Sequence, residues 1–170
     1  LTDHIHADVS GWWVSEKYDG VRAIWTGTAL MTRNGKRLNA PAWFLKGMPK
    51  NRRLDGELFI YRGGFNELVS VLQKKDSDWL NVSYLVFDLA EQGTFEERQE
   101  ALGRIKLPKH VQIVRHVQLQ GHSDLDEMEQ GIVFNHGEGC VIRRPGSKYR
   151  PGRMGDVIKV KRLVADVDRW

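Results

Sequence analysis

Apolar and polar positions alternate or cluster along this chain in short blocks separated by turn residues. The run WWVSEKYDGVRAIWTG (12–27) predicts two strands on either side of the turn pair Asp19-Gly20. ALMTRNGKRL (29–38) predicts a hairpin with Asn34-Gly35 at its tip, because that pair tolerates the positive φ of a tight turn. PAWFLKGM (41–48) opens on proline and predicts a short helix. RRLDGELFIY (52–61) predicts a strand interrupted at Asp55-Gly56. FNELVSVLQKK (65–75) carries apolar residues at 65, 68, 69 and 72, a helical stripe. VSYLVFDL (82–89) predicts a buried strand, and TFEERQEALGRI (94–105) a helix with Thr94 and Glu97 as a capping box. VQIVRHV (111–117) predicts one strand, SDLDEMEQGIVF (123–134) a helix capped by Ser123, and EGCVIRR (138–144) and GDVIKVKR (155–162) the last two strands. Helices and strands mix without a regular strand–helix–strand alternation. The pattern therefore predicts an α+β fold of largely antiparallel sheets flanked by helices.

Composition changes this picture little. The chain has 170 residues, 41% hydrophobic and 28% charged, the profile of one ordinary globular domain. No apolar run reaches the length of a membrane-spanning helix, and no signal peptide is recognisable. The first residue is leucine rather than methionine, which leaves room for a preceding segment. A single cysteine, Cys140, excludes an internal disulfide and a cysteine zinc site; it fits the cytosol and does not exclude the periplasm.

Charge distribution says more than the net charge of +4. Between Arg143 and Arg162 eight bases stand against one acid, Asp156. Such a run is commonly a solvated face. Here the bases alternate with apolar strand residues, and alternate strand positions share a face. Lys159 and Lys161 therefore point together, and we read this segment as an anion-binding surface. In EKYDG, Lys17 is either a strand-end lysine before a turn or a nucleophilic amine. The second role requires deprotonation, which nearby cations such as Arg22, Lys159 and Lys161 would favour. LDGEL places Asp55 and Glu57 on one face of a strand, and Glu138 opens another strand. Taken singly each is an ordinary turn acid. With Asp19 they could hold one hard divalent cation or hydrogen-bond a sugar. Phe87, on its own, fits core packing and base stacking equally.

The order of these motifs resembles the covalent nucleotidyltransferases, which include DNA ligases, RNA ligases and mRNA capping enzymes. EKYDG, LDGEL, LVFDL, EGCVIRR and VIKVKR follow one another as that superfamily's five motifs do. TRNGK (Arg33, Asn34, Gly35) and KYRPGRMGDVIKVK are similar to elements of DNA ligases. SEKYDGVRAIW and FEER resemble most the minimal bacterial ATP-dependent DNA ligases. The resemblance covers nearly the whole chain. Any one motif is weak evidence; five in order are strong.

The resemblance implies an ATP-grasp-like nucleotidyltransferase domain over 1–162. Lys17 would take AMP from ATP, and Asp19 would serve near the metal and the 3′-OH at sealing. Glu57 would bind the ribose and, with Glu138, a Mg²⁺ or Mn²⁺ ion. Phe87 would stack on adenine. Arg22, Arg33 and Arg153 would contact the ribose, the nucleotide phosphate or the 5′-phosphate of nicked double-stranded DNA, and Lys159 and Lys161 the α-phosphate. The implied outcome is strand sealing in DNA repair, replication or recombination by a monomer with no membrane contact.

Two departures stand out. Larger ligases place an acid two residues before the lysine, where this chain has Ser15. Glu16 lies one residue before, on the opposite strand face. Family ligases also continue into an OB-fold that grips nucleic acid, and residues 163–170 fall where it would begin. An RNA ligase, a GTP-using capping enzyme or a binding module that has lost catalysis are the alternatives. The intact Lys17, Glu57, Glu138, Lys159 and Lys161 argue against the last.

Overall fold

The computed structural model describes residues 8–150 and 155–160. Two sheets carry the fold. The first has the order β7-β1-β8-β9, built from β1 (Trp13–Glu16), β7 (Val117–Gln118), β8 (Cys140–Arg143) and β9 (Val157–Val160). The second has the order β3-β2-β4-β5-β6, from β2 (Val21–Trp25), β3 (Leu30–Thr32), β4 (Leu54–Phe59), β5 (Ser83–Leu89) and β6 (Val111–Ile113). All pairings are antiparallel except β5 with β6. Helices α1 (Ala42–Leu45), α2 (Phe65–Gln73), α3 (Phe95–Gly103) and α4 (His122–Phe134) flank the sheets, as expected for α+β.

Each sheet has one oily face. Ala23, Trp25, Leu54, Leu58, Tyr84 and Val86 of the second sheet bury against Phe44 of α1, Leu68 of α2 and Trp79. Val14, Cys140, Ile142 and Val160 of the first sheet bury against Leu125 and Ile132 of α4. Strand alternation then turns the polar positions of both sheets toward one another. Ser15, Val141 and Lys159 sit abreast on the first sheet. Arg22 and Glu57 sit abreast on the second.

Four elements differ from the sequence-based expectation, the first being β4, which runs unbroken through Asp55-Gly56. The strands around Asp19-Gly20 do not pair; β1 and β2 belong to different sheets. The linker must pass hard against β4, since a Cβ on Gly20 would lie 2.0 Å from the Leu58 carbonyl oxygen. VQIVRHV is not one strand: β6 joins the second sheet, and β7 crosses to the first. Helix α4 starts one residue before Ser123. Its first turn is closed by Asp124, which accepts from the backbone N–H of Gly121 at 3.0 Å and of Gln120 at 2.7 Å. The α3 capping box of Thr94 and Glu97 forms as predicted. The 29–38 hairpin also forms, with Gly35 at φ 83°.

Candidate nucleotide-transfer site

Lys17 leaves the end of β1 and is held by its own backbone, whose N–H donates to the Gly139 carbonyl at 2.8 Å. That bond ties the lysine to the chain entering β8. It also sets the Lys17 Nζ 2.7 Å from Glu138 Oε1. The two side chains are 18% and 22% exposed, so the amine is sheltered yet reachable. Glu16 points the other way, as strand geometry predicts, and is gripped by Arg62 at 2.5 and 3.1 Å.

Across the cleft stands Glu57 on β4. Its Oε2 accepts from the Gly20 N–H at 3.2 Å. Burial pushes its carboxyl up to about 7, with repulsion from Glu138 adding to this. The Gly20 hydrogen bond and the charges of Lys17 and Arg22 pull it back. Arg22, beside it on β2, forks onto Asp55 with Nε–Oδ1 3.0 Å and Nη2–Oδ2 2.5 Å. Tyr149, from the β8–β9 connection, donates to the same Asp55 Oδ2 at 2.7 Å. Asp55, almost fully buried, is thus committed to an arginine and a tyrosine. It is not available to a cation.

Phe87 owes its placement to a bulge. Asp55 pairs with Asp88 but Gly56 pairs with Val86, so Phe87 is the extra residue of β5. The slip lets Phe87 and Asp88 both face the cleft, where strict alternation would hide one of them. Gly56 is required opposite the bulge, because a Cβ there would lie 2.4 Å from the Leu85 carbonyl oxygen. The Arg143 guanidinium lies 4.9 Å from the Phe87 ring centre and that of Arg22 5.8 Å, distances at which a cation is attracted to an aromatic face.

Arg143 is buried, and burial presses its guanidinium below the usual range while Asp88 and Asp55 oppose this. It donates to Ser15 Oγ at 3.2 Å and lies 3.1 Å from His116 Nε2. His116 Nδ1 lies 3.1 Å from the Val114 carbonyl. Nδ1 therefore carries the proton and Nε2 accepts. Burial, with the charge of Arg143, lowers His116 to about 3 and keeps it neutral. Arg98 of α3 forks onto Asp88, the residue after Phe87, at 2.8 and 3.2 Å. It also donates to the carbonyls of Gly93 and Ser147 at 2.7 and 2.9 Å.

Of the predicted site residues, Lys17, Arg22, Glu57, Phe87 and Glu138 meet around this cleft. Lys159 lies on the same face of the first sheet as Ser15. Asp19 is exposed at the turn and Arg33 at the hairpin tip. Arg153 and Lys161 lie outside the described residues. Sequence reasoning missed Arg143 as the partner of Phe87, and also Tyr149, His116 and the Asp88–Arg98 pair. Their only signal was position within the quoted motifs EGCVIRR, KYRPGR, VQIVRHV, LVFDL and FEER.

Among the described residues no three acids, histidines or cysteines converge into a closed metal cage. Two nearby carboxylates, Glu57 and Glu138, do suit Mg²⁺. That ion takes one or two carboxylates and completes its shell with water and phosphate. A cation there would also offset the mutual repulsion that helps to raise Glu57.

A sheltered amine, two carboxylates, an arginine fork and an aromatic platform between two sheets make up the cleft of a nucleotide-handling domain. Comparison with known proteins carries this further. Residues 3–161 match the ATP dependent DNA ligase domain family. A DNA ligase of Haemophilus influenzae is 33% identical over 159 residues, which is 90% of this chain and 59% of that protein. A structure from a study of the Lig E DNA ligases superposes with TM-score 0.86 at 34% identity, over 92% of this chain and 64% of that one. A Chlorella virus DNA ligase–adenylate shares the fold at TM-score 0.74 and 22% identity, over 94% and 62%. The chain belongs to the ATP-dependent DNA ligase family and spans about 60% of the length of the relatives named first.

Proposed function

We propose that this chain carries out the nucleotide-transfer chemistry of an ATP-dependent DNA ligase, with Lys17 as nucleophile. The observation that carries the reading is the approach of Lys17, Glu138 and Glu57 within one cleft bordered by Arg22 and Phe87. In the first step Lys17 Nζ bonds to the α-phosphorus of ATP and the bond to pyrophosphate breaks. The amine must shed a proton, and Glu138, already accepting from it, is placed to receive one. AMP then passes from Lys17 to the 5′-phosphate at a nick, with the P–N bond breaking as a phosphoanhydride forms. The 3′-OH finally attacks that 5′-phosphorus and AMP leaves.

Catalysis of such in-line displacements is mainly positioning and charge neutralisation. Phe87 offers its ring to adenine, and Glu57 and Arg22 address the ribose and phosphates. Lys159 and Lys161 neutralise charge on the α-phosphate. Arg33 and Arg153 address the 5′-phosphate, and Asp19 the sealing step. Glu57 and Glu138 would hold Mg²⁺, which when bound supplies further charge neutralisation at the phosphates.

Incubation with Mg²⁺ and α-labelled ATP tests the reading. Label should appear on denatured protein and vanish in Lys17→Ala. Sealing of a pre-adenylylated nick bypasses the first step and tests the last one separately. Absence of both activities would overturn the assignment. Label from GTP alone would redirect it to a capping enzyme.

A further inference from the structure

Residues 46–53 (KGMPKNRR) and 104–110 (RIKLPKH) together hold seven lysines and arginines and no acid. The fold lays these segments side by side. His110 Nε2 is 2.6 Å from the Phe44 carbonyl, and a Cβ on Gly47 would touch Pro108 at 3.4 Å. Between them opens a pocket of about 500 Å³, lined by Pro49, Lys50, Ala101, Ile105 and Lys106 among others. Two further bases of the lining are compensated, Arg52 by Glu91 and Arg104 by Glu100. Lys46, Lys50, Arg53, Lys106 and Lys109 are exposed and form no ion pair among the described residues. Trp43, 44% exposed, stands edge-on to His110 beside them.

This shelf is separate from the reactive cleft. Arg52 and Arg53 lead into Leu54, which pairs with Trp25; Arg22 and Glu57 lie at the other end of the same two strands. Gathering five exposed like charges on adjoining segments carries a Coulombic cost. A polyanion would relieve that repulsion, and an aromatic beside the bases suits a nucleic acid.

We propose that this shelf is a second binding surface for the phosphodiester backbone of duplex DNA, gripping it away from the nick. The choice of DNA rests on the proposed function; the preference for a regular polyanion rests on the charges themselves. The test uses the 170-residue chain without ATP and an intact fluorescent duplex, titrated between 50 and 200 mM salt. Replacing Lys50, Lys106 and Lys109 by alanine should weaken binding. It should also flatten the slope of log affinity against log salt by about 3, roughly 0.9 for each phosphate no longer neutralised. Replacing the same three by arginine should keep the wild-type slope, and both variants should label Lys17 from ATP normally. A wild-type slope in the alanine variant, or an equal loss in the arginine variant, overturns the proposal. Because the binding titration contains no ATP and no nick, failure of the wild-type chain to label Lys17 would count against the ligase reading and leave this one standing, whereas loss of labelling only in the shelf variants would overturn the separation of shelf and cleft.

Discussion

The Arg98–Asp88 pair offers a quantitative test of how the cleft is supported. Arg98→Met removes a guanidinium that satisfies both Asp88 oxygens and the carbonyls of Gly93 and Ser147. Asp88 is 6% exposed, so its carboxylate would be stranded out of water. Breaking one side of a buried ion pair costs about 3–5 kcal/mol, a large share of the roughly 5–15 kcal/mol that holds a typical domain together. Replacing the stranded acid in the same background, as Arg98→Met/Asp88→Asn, should restore part of that loss, since the charge is gone. Burial already raises Asp88 above the ordinary carboxylate range, against the pull of Arg98. Without the arginine it rises further. A carboxyl whose folded pKa lies above its unfolded value binds protons preferentially in the folded state, so stability grows as pH falls through that window. The Arg98→Met deficit, read from urea melts, should therefore shrink between pH 8 and pH 5. A deficit below about 1 kcal/mol, a pH-independent one, or a double variant weaker than the single would refute this account of the pair.

Other substitutions probe separate links. Tyr149→Phe leaves the ring and deletes one hydrogen bond to a buried carboxylate; it should cost about 1.5–3 kcal/mol in denaturant melts and raise the KM for ATP through a looser Arg22. Gly56→Ala forces a methyl group to within 2.4 Å of the Leu85 carbonyl oxygen and should lower thermal stability while disturbing the Phe87 bulge, read as weaker ATP binding. Thr94→Ala opens the α3 capping box and should cost about 1 kcal/mol. His116, held near 3, should show no imidazole titration by NMR between pH 5 and 8. Its depressed value also means a stabilising contribution that is present above the unfolded value near 6.5 and lost as pH falls below it.

The residues that meet in the candidate cleft were legible because the motifs that carry them are short strings. Lys17 and Gly20 lie in one string, Asp55 and Glu57 in another, and Glu138 opens a third. The bulge at Phe87 was not legible. VSYLVFDL reads as an unbroken apolar run, and nothing in it marks which residue slips. The crossing of VQIVRHV between sheets was equally hidden, since Val111–Ile113 and Val117–Gln118 carry the same strand preferences. The sheet separation of β1 and β2 depends on Gly20 passing Leu58 at close range, a tertiary fact that the Asp-Gly turn signal obscures. Asp55 looked like a metal ligand because it sits two residues before Glu57. Its true partners are Arg22, 33 residues before it, and Tyr149, 94 residues after it.

The order of strands along the chain bears on how the protein is made. The second sheet draws on Val21 to Ile113 without interruption. The first takes one strand from before that stretch and three from after it. During synthesis from the N-terminus, the second sheet can close on the ribosome while β1 waits without neighbours for more than a hundred residues. Lys17 thus emerges ahead of the whole second sheet and is set in place only after it, because Glu138 and Gly139 must arrive first. A truncated nascent chain would carry the lysine but not the geometry to use it, so incomplete translation products should be chemically silent toward ATP.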